Sequence, residues 1–311
     1  MKIRSRAGRY LIGEAPHPLR RTDLERYRRA LLRRFHIRTE AQCRRFIETL
    51  GFCYAFTAGP GDIPGVFDVI GTRSVERMWS WAWTWKDSLV TRRRVFYGRV
   101  LRRKPTFISL RYLPHFYALS GNVGEPDDYL AAYEAGHLSV LAKGIYEYIA
   151  RRGPVNTWEL RRHFVTGDSG NRFHRALDEL QARFLIAKVA EVEGRGNYAF
   201  IWNTFHRWMP EAIKQASRIT SEEAAGTVLR GYLKIVGGAT PRQVEDLFRW
   251  PSSLLPSAAD HAGVVEASLN GKTVWTLPQV VRVALLSTPM SPVRHPERLR
   301  SSLPTRRSGG R

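Results

Sequence analysis

The sequence predicts a mainly α fold with small β-hairpins (α+β), arranged as tandem winged-helix (helix-turn-helix) units. Two observations predict it, and a third bears on its partner. An order of three helices followed by a β-hairpin is written twice after residue 138. The dipeptide Asn270-Gly271 sits between two β-rich runs, where it favours the tight type I′ turn of a hairpin. The formal net charge is +22, from 50 Lys+Arg against 28 Asp+Glu, and a core carrying that excess calls for a polyanionic partner.

Residues 1–21 read as a basic arm holding Lys2, Arg4, Arg6, Arg9 and Arg20. Residues 22–137 read as a helical, winged-helix-like domain. Thr22 or Asp23 opens its first helix, and a second begins near Thr39 and stops at Gly51. The turn formers Gly59, Pro60, Gly61, Pro64 and Gly65 then enforce a loop. Trp79, Trp81, Trp83 and Trp85 follow at every second position. That alternation suits a half-buried strand with its rings in the core, and rings so placed can also stack on an unpaired base. Asn122 to Asp128 is a polar linker.

Residues 138–212 form the clearest unit. Leu141, Ile145, Tyr148 and Ile149 make a helical apolar stripe, and Gly153-Pro154 ends it. Asn156 and Glu159 cap a short second helix. Phe173, Leu177, Leu180 and Phe184 line a third, and two strands follow. Residues 219–285 repeat the order, with Thr220 and Glu223 as a capping box and Thr240-Pro241-x-Gln243 opening the second helix. Residues 286–311, rich in Pro, Ser and Arg, read as a disordered tail.

The composition excludes several classes. With 43% hydrophobic and 11% aromatic residues, disorder over most of the length is excluded. Two cysteines, Cys43 and Cys53, exclude a disulfide framework and suit a reducing compartment. No apolar run spans a bilayer, and the N-terminus lacks the apolar stretch of a signal peptide, so a cytoplasmic, nucleoid-associated protein without a membrane partner is expected. His-Glu-x-x-His, Gly-x-Ser-x-Gly, a Walker loop and spaced Cys/His sets are all missing, so neither metal nor cofactor is expected.

The expected partner is DNA, through its phosphate backbone. In the 138–212 unit the third helix opens with Ser169, Asn171, Arg172, His174 and Arg175, and Arg195 lies on the hairpin loop. These are the positions from which such a unit touches bases and phosphates, although a solvated helix face would look the same. Arg242, Asn270 and Lys272 are the equivalents in the last unit. Arg92, Arg93, Arg94, Arg99, Arg102, Arg103 and Lys104, with no acid among them, read as a surface that tracks phosphates. Asp62 and Asp87, near the tryptophans, are the candidate carboxylates.

Several separated motifs occur in the right order for a known family. Gly153-Pro154-x-x-Thr157-x-Glu159-Leu160-Arg161, Gly238-Ala239-Thr240-Pro241-x-Gln243, and Leu285-Leu286-Ser287 with Pro296-Glu297-Arg298-Leu299 resemble the YcaQ/AlkZ-type crosslink-repair DNA glycosylases. Trp83-x-Trp85-Lys86-Asp87, Phe96-Tyr97-Gly98 and Arg102-Arg103-Lys104-Pro105-Thr106-Phe107 are similar to its glycosylase-related branch. The resemblance spans roughly Thr39 to Leu299. It implies tandem winged helices, binding to bulky or crosslinked lesions, and monofunctional, metal-free glycosylase chemistry. Active members carry Gln-x-Gln or Gln-x-Asp after the early helix. Here the stretch is Gly51-Phe52-Cys53-Tyr54-Ala55-Phe56, so Tyr54 and Phe56 stand at both polar positions, which puts base excision in question. The family's C-terminal β-barrel has no counterpart before the chain ends. Two other readings are an active glycosylase using Asp62 or Asp87, and a transcription regulator reading bases with Arg172 and Arg175.

Overall fold

The computed structural model describes residues 17–57, 59, 62–167, 170–194 and 197–286. Most of the basic arm, Ser169, Arg195 and the tail after Leu286 lie outside the described residues.

Strand β1 (His17–Leu19) leads into helices α1 (Arg21–Leu32) and α2 (Glu40–Leu50). Helix α1 starts one residue earlier than its expected cap. Asp23 acts from inside the first turn, accepting the Arg20 N–H at 3.0 Å. Thr39 caps α2 as expected, and Gly51 ends it at φ 89°. A Cβ at Gly51 would sit 2.5 Å from the Tyr112 ring, so glycine is required there twice over.

Strand β2 (Phe52–Tyr54), helix α3 (Val75–Thr91) and the hairpin β3 (Val95–Leu101) and β4 (Lys104–Ser109) complete the first unit. The alternating tryptophans are therefore helical, which corrects the strand reading. In a helix, positions two apart fall about 200° round the axis, so alternation splits the rings into two i,i+4 pairs. Trp81 stacks on Trp85 at 5.5 Å on one side, while Trp79 and Trp83 both meet Phe56 on the other.

Helices α4 (Leu113–Ala118) and α5 (Asp128–Glu134) link to the second unit, which comprises α6 (Val140–Arg152), β5 (Val155–Asn156), α7 (Thr157–Phe164), α8 (Gly170–Ala182), β6 (Ile186–Gly194) and β7 (Asn197–Thr204). Asn156 caps α7 by accepting the Glu159 N–H at 2.9 Å. Helices α9 (Phe205–Trp208) and α10 (Pro210–Ala216) lead to the third unit: α11 (Ser221–Val236), β8 (Gly238–Ala239), α12 (Pro241–Phe248), α13 (Leu255–Ala262), β9 (Val265–Leu269), β10 (Lys272–Thr276) and α14 (Pro278–Leu286). Both capping boxes form, Thr220 with Glu223 and Thr240 with Gln243.

Sheet topology repeats three times. The strand orders are β2-β4-β3, β5-β7-β6 and β8-β10-β9, so in each unit a short strand after a helix pairs with the second strand of the hairpin. The third sheet gains β1, parallel to β9, on its outer edge. The cores do not follow the units. Residues from the first and third units share one apolar cluster, in which Phe52 meets Phe116 and Phe248. The second unit has its own, around Ile145, Phe173 and Leu180. No helix among the described residues is long and apolar enough to cross a membrane.

Candidate functional site

Where the first hairpin meets the second unit, a cleft of about 400 Å³ opens, a size usual for ligand sites. Its walls are rings: Phe56, Trp83, Trp158, Tyr198 and Phe200. Phe56 stacks on Trp83 at 5.9 Å, and Tyr198 meets Trp83 edge-on at 5.0 Å. Polar groups converge on it from α7, α8 and β3: Arg161, His174, Asp178 and Arg99.

These groups are partly committed to one another. The Arg161 guanidinium lies 3.2 Å from His174 Nε2, and Arg99 Nε lies 3.5 Å from Asp178 Oδ1. Burial, then the Arg161 charge, holds the His174 imidazole below its ordinary pKa and favours the neutral ring. Burial pushes the Asp178 carboxyl up, against the pull of Arg99, Arg103 and His174. Gln181 is spent on structure, accepting the Arg99 N–H at 3.2 Å and donating to the Leu177 carbonyl at 3.1 Å.

Beneath the rings lies a buried set of charges. Lys86 of α3 and Lys188 of β6 both contact Asp87 and Glu191, with each ammonium 2.6 Å from Glu191 Oε1. Both lysines are 1% exposed, and their ammonium groups also face Tyr97 and Phe200. Burial, then the neighbouring Lys86 charge, brings the Lys188 pKa down to about 8. Two cations and two acids neutralise each other and clamp the first unit to the second. Buried charges tolerate the interior only when so paired.

The residues named from sequence are scattered across this frame. Asp87 belongs to the clamp, and Asp62 pairs with Arg102 at 2.7 Å, so the two carboxylates have separate partners. Tyr54 is buried. Its hydroxyl has no hydrogen-bond partner among the described residues, and burial, then the Asp62 charge, pushes its pKa up. Only Phe56 of the two motif positions reaches the cleft. Asn171, Arg172, His174 and Arg175 are all exposed on α8, and His174 also lines the cleft. The arginine-rich cluster is divided. Arg92 pairs with Glu40 at 3.2 Å and Arg93 lies 4.0 Å over Trp208, at the foot of β3 next to Arg94, whereas Arg102, Arg103 and Lys104 occupy the hairpin tip at its far end. Arg242, Asn270 and Lys272 are exposed on the third unit. Ser169 and Arg195 fall outside the described residues. Among the described residues no group of three or more His, Cys, Asp or Glu could hold a metal ion.

Sequence reasoning passed over Trp158, Tyr198 and Asp178, and placed Arg99 only within the arginine-rich cluster.

Three small sheets among helices, with a cleft between the first two units, make a fold that is also seen in a DNA glycosylase. The structure is similar to that of Streptomyces sahachiroi DNA glycosylase AlkZ, with a TM-score of 0.54 at 12% identity, covering 88% of this chain and 73% of that one. A family model described as AlkZ related matches residues 37–249, roughly two thirds of the sequence, and the chain belongs to that family. No curated protein matches it.

Proposed function

We propose that this chain is a tandem winged-helix DNA-binding protein related to the crosslink-repair glycosylases, and that it grips DNA at an unstacked base. The observation that carries this reading is the aromatic cleft. Rings that sandwich a flat guest contribute about 1–3 kcal/mol per stacked base and tolerate any base. Holding a base there requires its extrusion from the duplex, which costs least at a damaged or unpaired position. Arg99 and Arg161 flank the cleft, and Arg172 and Arg175 project from the exposed side of α8, where they meet the duplex. The AlkZ-related family and the AlkZ fold favour DNA over other polyanions.

Hydrolysis of the glycosidic bond needs an acceptor that orients water and a negative group beside the sugar cation. Tyr54 and Phe56 supply neither. A second reading, base excision, rests on a different residue, because Asp178 lines the cleft with a carboxylate.

Both readings are tested with a short duplex carrying one bulged or N-alkylated purine, against its fully paired counterpart. Anisotropy should show tighter binding to the defective duplex, and Trp83→Ala with Tyr198→Ala should erase that preference. Equal affinity for both duplexes by the natural protein would overturn the reading. Abasic-site formation that Asp178→Asn abolishes would establish the second reading; no abasic product would remove it.

A further inference from the structure

Across α8 from the aromatic cleft lies a second groove, of about 740 Å³. The tip of the first hairpin, the end of α8 and the end of α12 bring Arg102, Arg103, Arg183 and Arg249 to its walls, with His137 beside them. Its acids are Asp178 and Glu179. Asp178 faces Arg99, and Glu179 accepts two hydrogen bonds from Ser139. Arg102 is held by Asp62. Among the described residues Arg103 and Arg249 form no ion pair, and both are exposed.

The backbone at these positions is unusual. Among the described residues six non-glycine positions have positive φ, and four of them are arginines. Three of those four, Arg102 at 50°, Arg103 at 54° and Arg249 at 59°, line this one groove. Left-handed positions normally carry glycine or asparagine, because a Cβ there crowds the backbone. A chain that places a long cationic side chain at three such points around one groove keeps the side chain at the expense of the backbone.

We infer that this groove binds phosphodiesters of a DNA strand, with Arg103 and Arg249 as its free cations and Arg183 also on its wall. Asp178 lines both the groove and the aromatic cleft, so the two adjoin at that residue. A strand whose base enters the cleft runs past Asp178 and lays its flanking phosphates in the groove. The inference rests on the DNA-binding reading above and adds a second, separate contact to it. The planar guanidinium forks suit phosphate oxygens in pairs.

The test uses the full chain and the bulged duplex, with affinity measured over a range of salt. Arg103→Gly with Arg249→Gly should leave the melting temperature unchanged or raise it, since glycine suits both backbones. The same variant should bind on the order of tenfold more weakly and lower the slope of log affinity against log salt by about 0.9 per phosphate lost. Arg103→Lys with Arg249→Lys keeps both charges and should keep the slope. The preference for bulged over paired duplex, a property of the cleft, should survive in both variants. An unchanged slope and affinity in the glycine variant would overturn the groove while leaving the DNA-binding reading intact. No binding by the natural protein would overturn both.

Discussion

The first and third hairpins have one topology and opposite turn chemistry. Both reverse through two residues with positive φ, Arg102 and Arg103 in one, Asn270 and Gly271 in the other. Asn-Gly is what steric reasoning selects for such a turn. Arg-Arg is about 1 kcal/mol or more per residue less favourable. The difference lies in what surrounds each tip. Next to the first tip Leu101 is buried, and Arg102 is anchored by Asp62. The third hairpin is half-buried along most of its length, and the space beside Gly271 is open. Where neighbouring contacts hold a turn, its residues are freed for another task; where they do not, the turn must specify itself.

The largest effect is expected at the clamp that ties α3 of the first unit to β6 of the second. Asp87→Asn leaves two buried ammonium groups with one carboxylate, and should cost about 3–5 kcal/mol in denaturant unfolding. A loss of less than about 1 kcal/mol would mean that the clamp does not hold the units. Next, Gly271→Arg writes the first hairpin's chemistry into the third. No atom lies within 4 Å of the added Cβ, so the cost is that of the backbone alone, about 1–2 kcal/mol. If the midpoint of urea unfolding stays where it was, the third tip is as insensitive as the first and the comparison fails. The smallest effect is on pH dependence. Burial holds the pKa values of His115, His174 and His206 below the ordinary histidine value. The unfolded chain therefore binds protons that the folded chain does not, and stability falls as pH drops below about 6.5. His174→Asn should reduce that slope and leave stability at pH ~8 little changed. A slope equal to that of the natural protein would remove His174 from the cause.

Much of the second and third units is legible in the sequence because their signals are local. Asn156, Thr220 and Thr240 cap the helices that the sequence assigns to them, and Asn270-Gly271 forms the turn it predicts. The first unit is less legible for two physical reasons. A tryptophan at every second position mimics strand periodicity although both sides of α3 are packed, and Arg-Arg carries no turn signal, so the first sheet goes unseen. The shared core is invisible because its contacts, such as Phe52 with Phe248, are set by tertiary structure. The site divides in the same way. Phe56 is found through the motif it departs from, whereas Arg99 and Asp178 become partners only when α8 meets β3.

Strand β1 carries a further consequence, one of timing. His17 pairs with Ala267, a separation of 250 positions along the chain. At about 5–20 residues per second of synthesis, β9 follows β1 from the ribosome by roughly 12–50 seconds. The first strand must wait that long for its sheet partner, while the helices between them fold. It is therefore a late strand, a latch that seats only once β9 has been made. Deleting His17–Leu19 would expose the β9 edge to pairing with another chain, so the latch also guards the nascent protein against association.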